Sequence, residues 1–107
     1  MYKQGKIVLI PFPFTNLSGQ KVRPAVILSV KSIGDDAIVA FISTNTTKKE
    51  KFSVLVKRNK ENGLKSDSVI IVSKIATLEK KMILGEIGAL SHNEIELLKT
   101  KIKDLLF

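Results

Sequence analysis

Of the 18 basic side chains in this 107-residue chain only two, Arg23 and Arg58, are arginines, and Arg23 stands directly before Pro24 at the head of an apolar run. A guanidinium is planar and donates two parallel hydrogen bonds, a geometry matched to phosphate oxygens, where lysine offers a point charge. An arginine whose stem packs beside Pro24 and whose head is hydrated gives the same pattern, and the residues alone favour that plainer account. Ser43 and Thr44 carry hydroxyls able to donate to a phosphate or a leaving oxygen, although Ser-Thr-Asn-Thr-Thr also reads as an ordinary polar loop. Other chemistries drop out. The one histidine, His92, lies beside a helix cap, so a two-histidine acid–base pair is excluded. There is no cysteine, no glycine-rich phosphate loop, no nucleophile elbow and no Ser-His-Asp set. Asp35-Asp36 reads as turn chemistry, and no cluster has ligand spacing. No metal or cofactor is expected.

Charge points the same way. The 18 Lys and Arg oppose 10 Asp and Glu, for a net charge of +8. Residues 1–34 hold Lys3, Lys6, Lys21, Arg23 and Lys31 and no acid, whereas residues 66–107 hold both signs equally. A polyanion is the natural partner for such a surface, through counterion release and steering. A merely soluble, lysine-rich surface fits the charge equally well.

These residues must be positioned by a single domain, residues 1–107, because the length is that of one compact core. The apolar runs are too short to span a membrane. Met1 to Lys6 leads directly into a strand pattern with no signal-peptide h-region, so the expected location is the cytoplasm. Lys6 to Phe14 reads as strand one, with Pro11 and Pro13 marking an edge or a frayed end. Thr15 to Val22 reads as a surface loop, after which Arg23 opens the next strand. Pro24–Val30 and Ala37–Ile42 form a hairpin about Ser32–Asp36. Phe52–Val56 and Ser68–Val72 supply further strands, and Met82–Leu84 with Ile87 a sixth. Ser91 followed three residues later by Glu94 has the capping-box form, and Ile95, Leu98, Ile102 and Leu105 recur at helical spacing. The expected fold is mainly β: a small, curved, antiparallel sheet, tending to a barrel, closed by one C-terminal helix.

Two segments, Gly5-Lys6-Ile7-Val8-Leu9-Ile10-Pro11-Phe12-Pro13-Phe14-Thr15 and Lys21-Val22-Arg23-Pro24-Ala25-Val26-Ile27-Leu28-Ser29, resemble the opening of the MazF/PemK toxin family. Val39 to Asn45 and the stretch from Asp67 to Leu78 continue the resemblance in order and spacing, so that it covers nearly the whole chain. It implies an SH3-like barrel with a C-terminal helix, a homodimer, sequence-specific cleavage of single-stranded RNA, and inhibition by an antitoxin. By position, Arg23 matches the family's catalytic arginine, and Ser43 or Thr44 its catalytic hydroxyl. Thr15, Asn16, Ser18, Gln20 and Lys21 fall in the loop that borders RNA in the family, and Asn45 and Lys74 match further RNA-contacting positions. One departure stands out: where the family often has an acid before the equivalent of Ile75, this chain has Ser73-Lys74. Asp67, the nearest carboxylate in sequence, reads as a strand-start cap.

Under that resemblance the chemistry needs no metal, since the ribose 2′-hydroxyl attacks the adjacent phosphate and Arg23 stabilises the charge that develops there. Phe12 and Phe14 are placed to stack on unpaired bases, whereas Phe41 reads as core. An antitoxin would be acidic and partly disordered, folding onto an apolar groove ringed by positive charge. Two other functions remain open on the sequence: a basic barrel that binds RNA or DNA without cutting it, and a CcdB-like toxin acting on a protein target.

Overall fold

In a computed structural model, which describes residues 2–12, 21–31, 33–47 and 51–107, six strands form one antiparallel sheet followed by a helix. The strands are β1 (Lys6–Phe12), β2 (Lys21–Ile27), β3 (Asp36–Ser43), β4 (Ser53–Val56), β5 (Ser68–Glu79) and β6 (Gly85–Ala89), and the helix is α1 (His92–Leu106). The sheet order is β4-β5-β3-β2-β1-β6.

Strand alternation gives the sheet two apolar faces. Ile7, Val26, Ala40, Ile42, Val54, Val56, Ile70 and Val72 line one face, onto which α1 lays Leu98, Ile95, Ile102 and Leu105. Val8, Ile10, Ala25, Ile27, Ala37, Val39 and Leu78 line the other, covered in part by Tyr2, Met82 and Ile83. Burial on both faces explains why the strands read as continuous apolar runs such as Ile7–Ile10 rather than as clean alternation. The helix starts where its cap requires. Ser91 Oγ accepts from the Glu94 amide at 3.2 Å, while Glu94 Oε1 accepts from the Ser91 amide at 2.9 Å, which satisfies two otherwise orphaned donors.

Several boundaries differ from those the sequence suggests. β2 begins at Lys21 and ends at Ile27, so Arg23 lies inside the strand, because β1 pairs with it as far as Phe12↔Lys21. β5 continues to Glu79 instead of ending at Val72, and it does so through a bend. Ala40 pairs with Ile75 but Phe41 pairs with Ile71, which leaves Val72, Ser73 and Lys74 without partners on β3. The Val72 amide turns instead to the Phe52 carbonyl, 2.9 Å away. Lys80–Met82 is a short 3-10 turn, so the sixth strand comes later, at Gly85–Ala89, where it reaches β1.

The two edges of the curled sheet are joined by the loop between β4 and β5. Asn62, fully buried, accepts from the Asn59 and Leu64 amides and donates to the Lys57 carbonyl, at 2.9 to 3.1 Å. Asp67 Oδ1 accepts from the Arg58 amide at 2.9 Å, which makes it the loop cap its position suggests. The loop then meets β6, with the Ala89 amide donating to the Glu61 carbonyl at 2.9 Å. Only glycine allows this approach, since a Cβ on Gly88 would collide with the backbone of Glu61 and Asn62, and one on Gly63 with that of Ile87. Gly88→Ala should therefore lower the unfolding free energy by roughly 1–3 kcal/mol, the usual cost of overpacking, read as a lower urea midpoint at unchanged slope.

Candidate functional site

Arg23 and Ser43 meet because β2 and β3 part. Their ladder runs Ile27↔Val39, Val26↔Ala40, Ala25↔Phe41 and stops. Extended by two residues, the same register would set Arg23 opposite Ser43, and by a third Val22 opposite Thr44. Each strand stays paired on its outer side, Arg23 to Ile10 of β1 and Ser43 to Val69 of β5. The result is a fork, held open by the strands on either side.

Period-two alternation decides which side chains share the fork. Arg23 follows Ala25 and Ile27 in parity, and Ser43 follows Val39 and Phe41, so both face away from α1. Together with Asn45 and Lys74 they line a cavity of about 490 Å³ whose floor is Ile10, Phe41, Ile42 and Ile71. Thr44 has the opposite parity and lines a different cavity, with Val22 and Pro24. Ser43 is thus the hydroxyl that the structure brings to Arg23.

Lys74 arrives by way of the bend in β5. The extra residues interrupt the alternation there, so that Ile70, Ile71 and Val72 are buried in succession and Ser73, Lys74 and Ile75 exposed. Bulges commonly re-aim a side chain in this way.

Local hydrogen bonds set the polar rim. The Asn45 amide donates to Ser43 Oγ at 3.1 Å, so the serine hydroxyl already accepts one bond and keeps its proton to donate. Asn45 Oδ1 accepts from the amide and the hydroxyl of Thr47, at 3.3 and 2.7 Å, which leaves its Nδ2 to donate. Among the described residues no ion pair engages Arg23 or Lys74 and no carboxylate lines the cavity. The site is an apolar-floored pocket with two exposed cations and two hydrogen-bond donors at its rim, a chemistry suited to a phosphodiester and poor for a carboxylate-dependent reaction. Among the described residues no group of three or more His, Cys, Asp and Glu is arranged to hold a metal ion.

The other sequence candidates fall elsewhere. Lys21, at the start of β2, is exposed and does not line this cavity. Phe14, Thr15, Asn16, Ser18 and Gln20 lie outside the described residues, as does the side chain of Phe12. Phe41, read as core, is half-buried and serves both the core and the cavity. Ile10, Ile42 and Ile71 were not singled out in the sequence, since apolar strand residues carry no chemical signature.

A family model of the PemK-like, MazF-like toxins of type II toxin–antitoxin systems matches residues 3–106. Among solved structures, an endoribonuclease in complex with its cognate antitoxin, from a mycobacterial species, superposes with a TM-score of 0.79 at 15% identity, over 99% of this chain and 95% of that one. The Mycobacterium tuberculosis toxin MazF-mt6 gives 0.76 at 22% identity, over 92% of this chain and 93% of that one. A chain of the MazE–MazF crystal structure from Deinococcus radiodurans gives 0.77 at 16%, over 98% and 94%. At these identities the likeness is one of fold. No curated protein matches the sequence.

Proposed function

The chain belongs to the PemK-like, MazF-like toxin family of type II toxin–antitoxin systems, and from that premise we propose that it is an endoribonuclease that cuts single-stranded RNA at the Arg23 cavity without a metal. The observation that carries the proposal is the convergence of Arg23, Ser43, Asn45 and Lys74, from three strands and a strand end, on one cavity with no acid among the described residues that line it. A cofactor-free cut uses the ribose itself. The 2′-oxygen bonds to phosphorus, the bond from phosphorus to the 5′-oxygen breaks, the 2′-hydroxyl proton leaves to water, and a proton is delivered to the departing 5′-oxygen. The products are a 2′,3′-cyclic phosphate and a 5′-hydroxyl.

Arg23 takes the central role, its fork of donors holding the non-bridging oxygens more tightly as negative charge accumulates on them. Ser43, oriented by the Asn45 amide, donates to the phosphate or to the leaving oxygen. Lys74 adds a second positive charge, next to Ser73 where the family resemblance leads one to expect an acid, and this raises affinity for the backbone. With no carboxylate or imidazole among the described lining residues, orientation and charge stabilisation carry the rate in this reading. Asp67 takes no part in this reading, since it does not line the cavity and its Oδ1 accepts from the Arg58 amide.

Mycobacterial and Deinococcus relatives are described as complexes with their antitoxins. An acidic antitoxin and a homodimer follow for this chain as parts of the same reading. Among the described residues no helix is long and apolar enough to cross a membrane, which agrees with a cytoplasmic site of action on mRNA.

Three outcomes test this. A long RNA incubated with protein and EDTA should be cut to fragments ending in 2′,3′-cyclic phosphate, a single 2′-deoxy nucleotide at the cut should block it, and Arg23→Ala should reduce the rate at least about a hundredfold with the circular dichroism unchanged. Wild-type cleavage by that variant would overturn the site. Ser43→Ala should slow cleavage by about a hundredfold in single-turnover kinetics, whereas Thr44→Ala, on the other face, should leave the chemical step near wild type. Lys74→Gln should weaken binding of every oligonucleotide alike and reduce the log–log salt slope by about 0.7, measured by fluorescence anisotropy across a salt series.

A further inference from the structure

The fork between β2 and β3 opens on both faces of the sheet, and the second face also holds a cavity. It encloses about 290 Å³ and is lined by Val22, Pro24 and Leu9 on its apolar side and by Thr44, Lys65 and Ser66 on its polar side. Val22 and Pro24 flank Arg23 in β2, and Thr44 follows Ser43, so the two cavities lie back to back across a single backbone layer. Of its three hydroxyls, that of Ser68 donates to the Ser66 carbonyl at 2.9 Å, while those of Thr44 and Ser66 make no side-chain hydrogen bond among the described residues, and Val22 is 56% exposed.

We propose that this second cavity holds one nucleobase of a nucleotide flanking the scissile phosphate, so that the RNA chain passes over the strand fork with its phosphate on the Arg23 face and an adjacent base on the Val22 face. The proposal rests on reading the Arg23 cavity as a phosphodiester site. The second cavity's volume, about 290 Å³, lies at the lower limit of small-ligand sites, about 300 Å³, which suits one planar ring better than a peptide segment. The apolar strand surface offers a face for the ring to lie against, while the Thr44 and Ser66 hydroxyls can donate to or accept from the edge of a base. Lys65 supplies charge for the next phosphate. Single-stranded RNA is suited to such a path, because its bases are unstacked and can be splayed to different sides of the backbone. Thr44 then acts as a specificity residue on the face opposite the proposed catalysis, one position from Ser43.

The test uses oligoribonucleotides made uncleavable by a 2′-deoxy residue at the cut, with single abasic nucleotides placed in turn on either side, and anisotropy as readout. Removing one flanking base should weaken binding to the wild-type protein by about 5- to 150-fold, the range for one stacked base. Val22→Trp, which fills the cavity from an exposed position, should weaken the intact oligonucleotide similarly and erase the dependence on that base, with its unfolding curve unchanged. Thr44→Val, of nearly the same shape, should alter which base is preferred. A flat abasic scan in the wild type overturns the proposal, as does a Val22→Trp protein with undiminished base dependence. Loss of binding to an acidic partner protein alone, with RNA binding intact, would make the cavity a protein site and also overturn it. Arg23→Ala separates the two readings: equal weakening of intact and abasic oligonucleotides supports the phosphate site whatever the scan shows, and wild-type affinity in that variant rejects it.

Discussion

The interruption of one ladder organises the molecule. Ala25↔Phe41 is the last pair between β2 and β3, and beyond it two strands that would otherwise exchange hydrogen bonds diverge and leave an open cavity. Such a gap is costly in an isolated sheet, since it leaves backbone groups without ladder partners. Here each arm of the fork remains bonded to its outer neighbour, to β1 or to β5, so the arms stay extended and the gap stays open. The side chains at the mouth inherit the register of the closed ladder, which is how residues twenty positions apart in sequence come to face one another.

The bend in β5 solves a second problem. A strand pairing with the whole length of β3 would carry its side chains past the fork at regular intervals, with no means of delivering a long cation to one point. The unpaired stretch Val72–Lys74 splits β5 into two segments that follow different parts of β3, and Lys74 projects at the corner into the same cavity as Ser43. The curl of the sheet, the corner and the loop that joins β4 to β6 are therefore linked: bending β5 brings the sheet edges near enough for Gly63 and Gly88 to meet the opposing backbone.

How much of this the sequence disclosed follows from the range of each signal. The capping box at Ser91 and the spacing of Ile95, Leu98, Ile102 and Leu105 are local, and the helix lies where they put it. The strands were legible as apolar runs, yet their ends were not. Lys21 and Val22 have loop-like neighbours and become strand only because β1 offers partners, a non-local effect that outweighs composition. The choice between Ser43 and Thr44 also had to wait, because parity along β3 has meaning only once it is known which face Arg23 occupies. Lys74 was readable as a candidate, but the corner that aims it is a property of pairing between distant segments.

The placement of the acids completes the electrostatic design. Glu86 pairs with Lys6, Glu79 with Lys81, and Glu96 with Lys99 and His92, while Glu94 caps the helix and Asp67 caps the loop. Exposed ion pairs of this kind contribute little to stability, typically below about 1 kcal/mol, so their location matters more than their strength. They occupy the helix, the β1–β6 edge and the turn before β6, and none lines the Arg23 cavity. Arg23 and Lys74 are thus left without a carboxylate in the cavity among the described residues, and field lines entering a cleft with an apolar floor are concentrated rather than spread through solvent. For the proposed RNA substrate this means attraction before shape, and two exposed cations without carboxylate partners among the described residues need no prior bond broken in order to receive it.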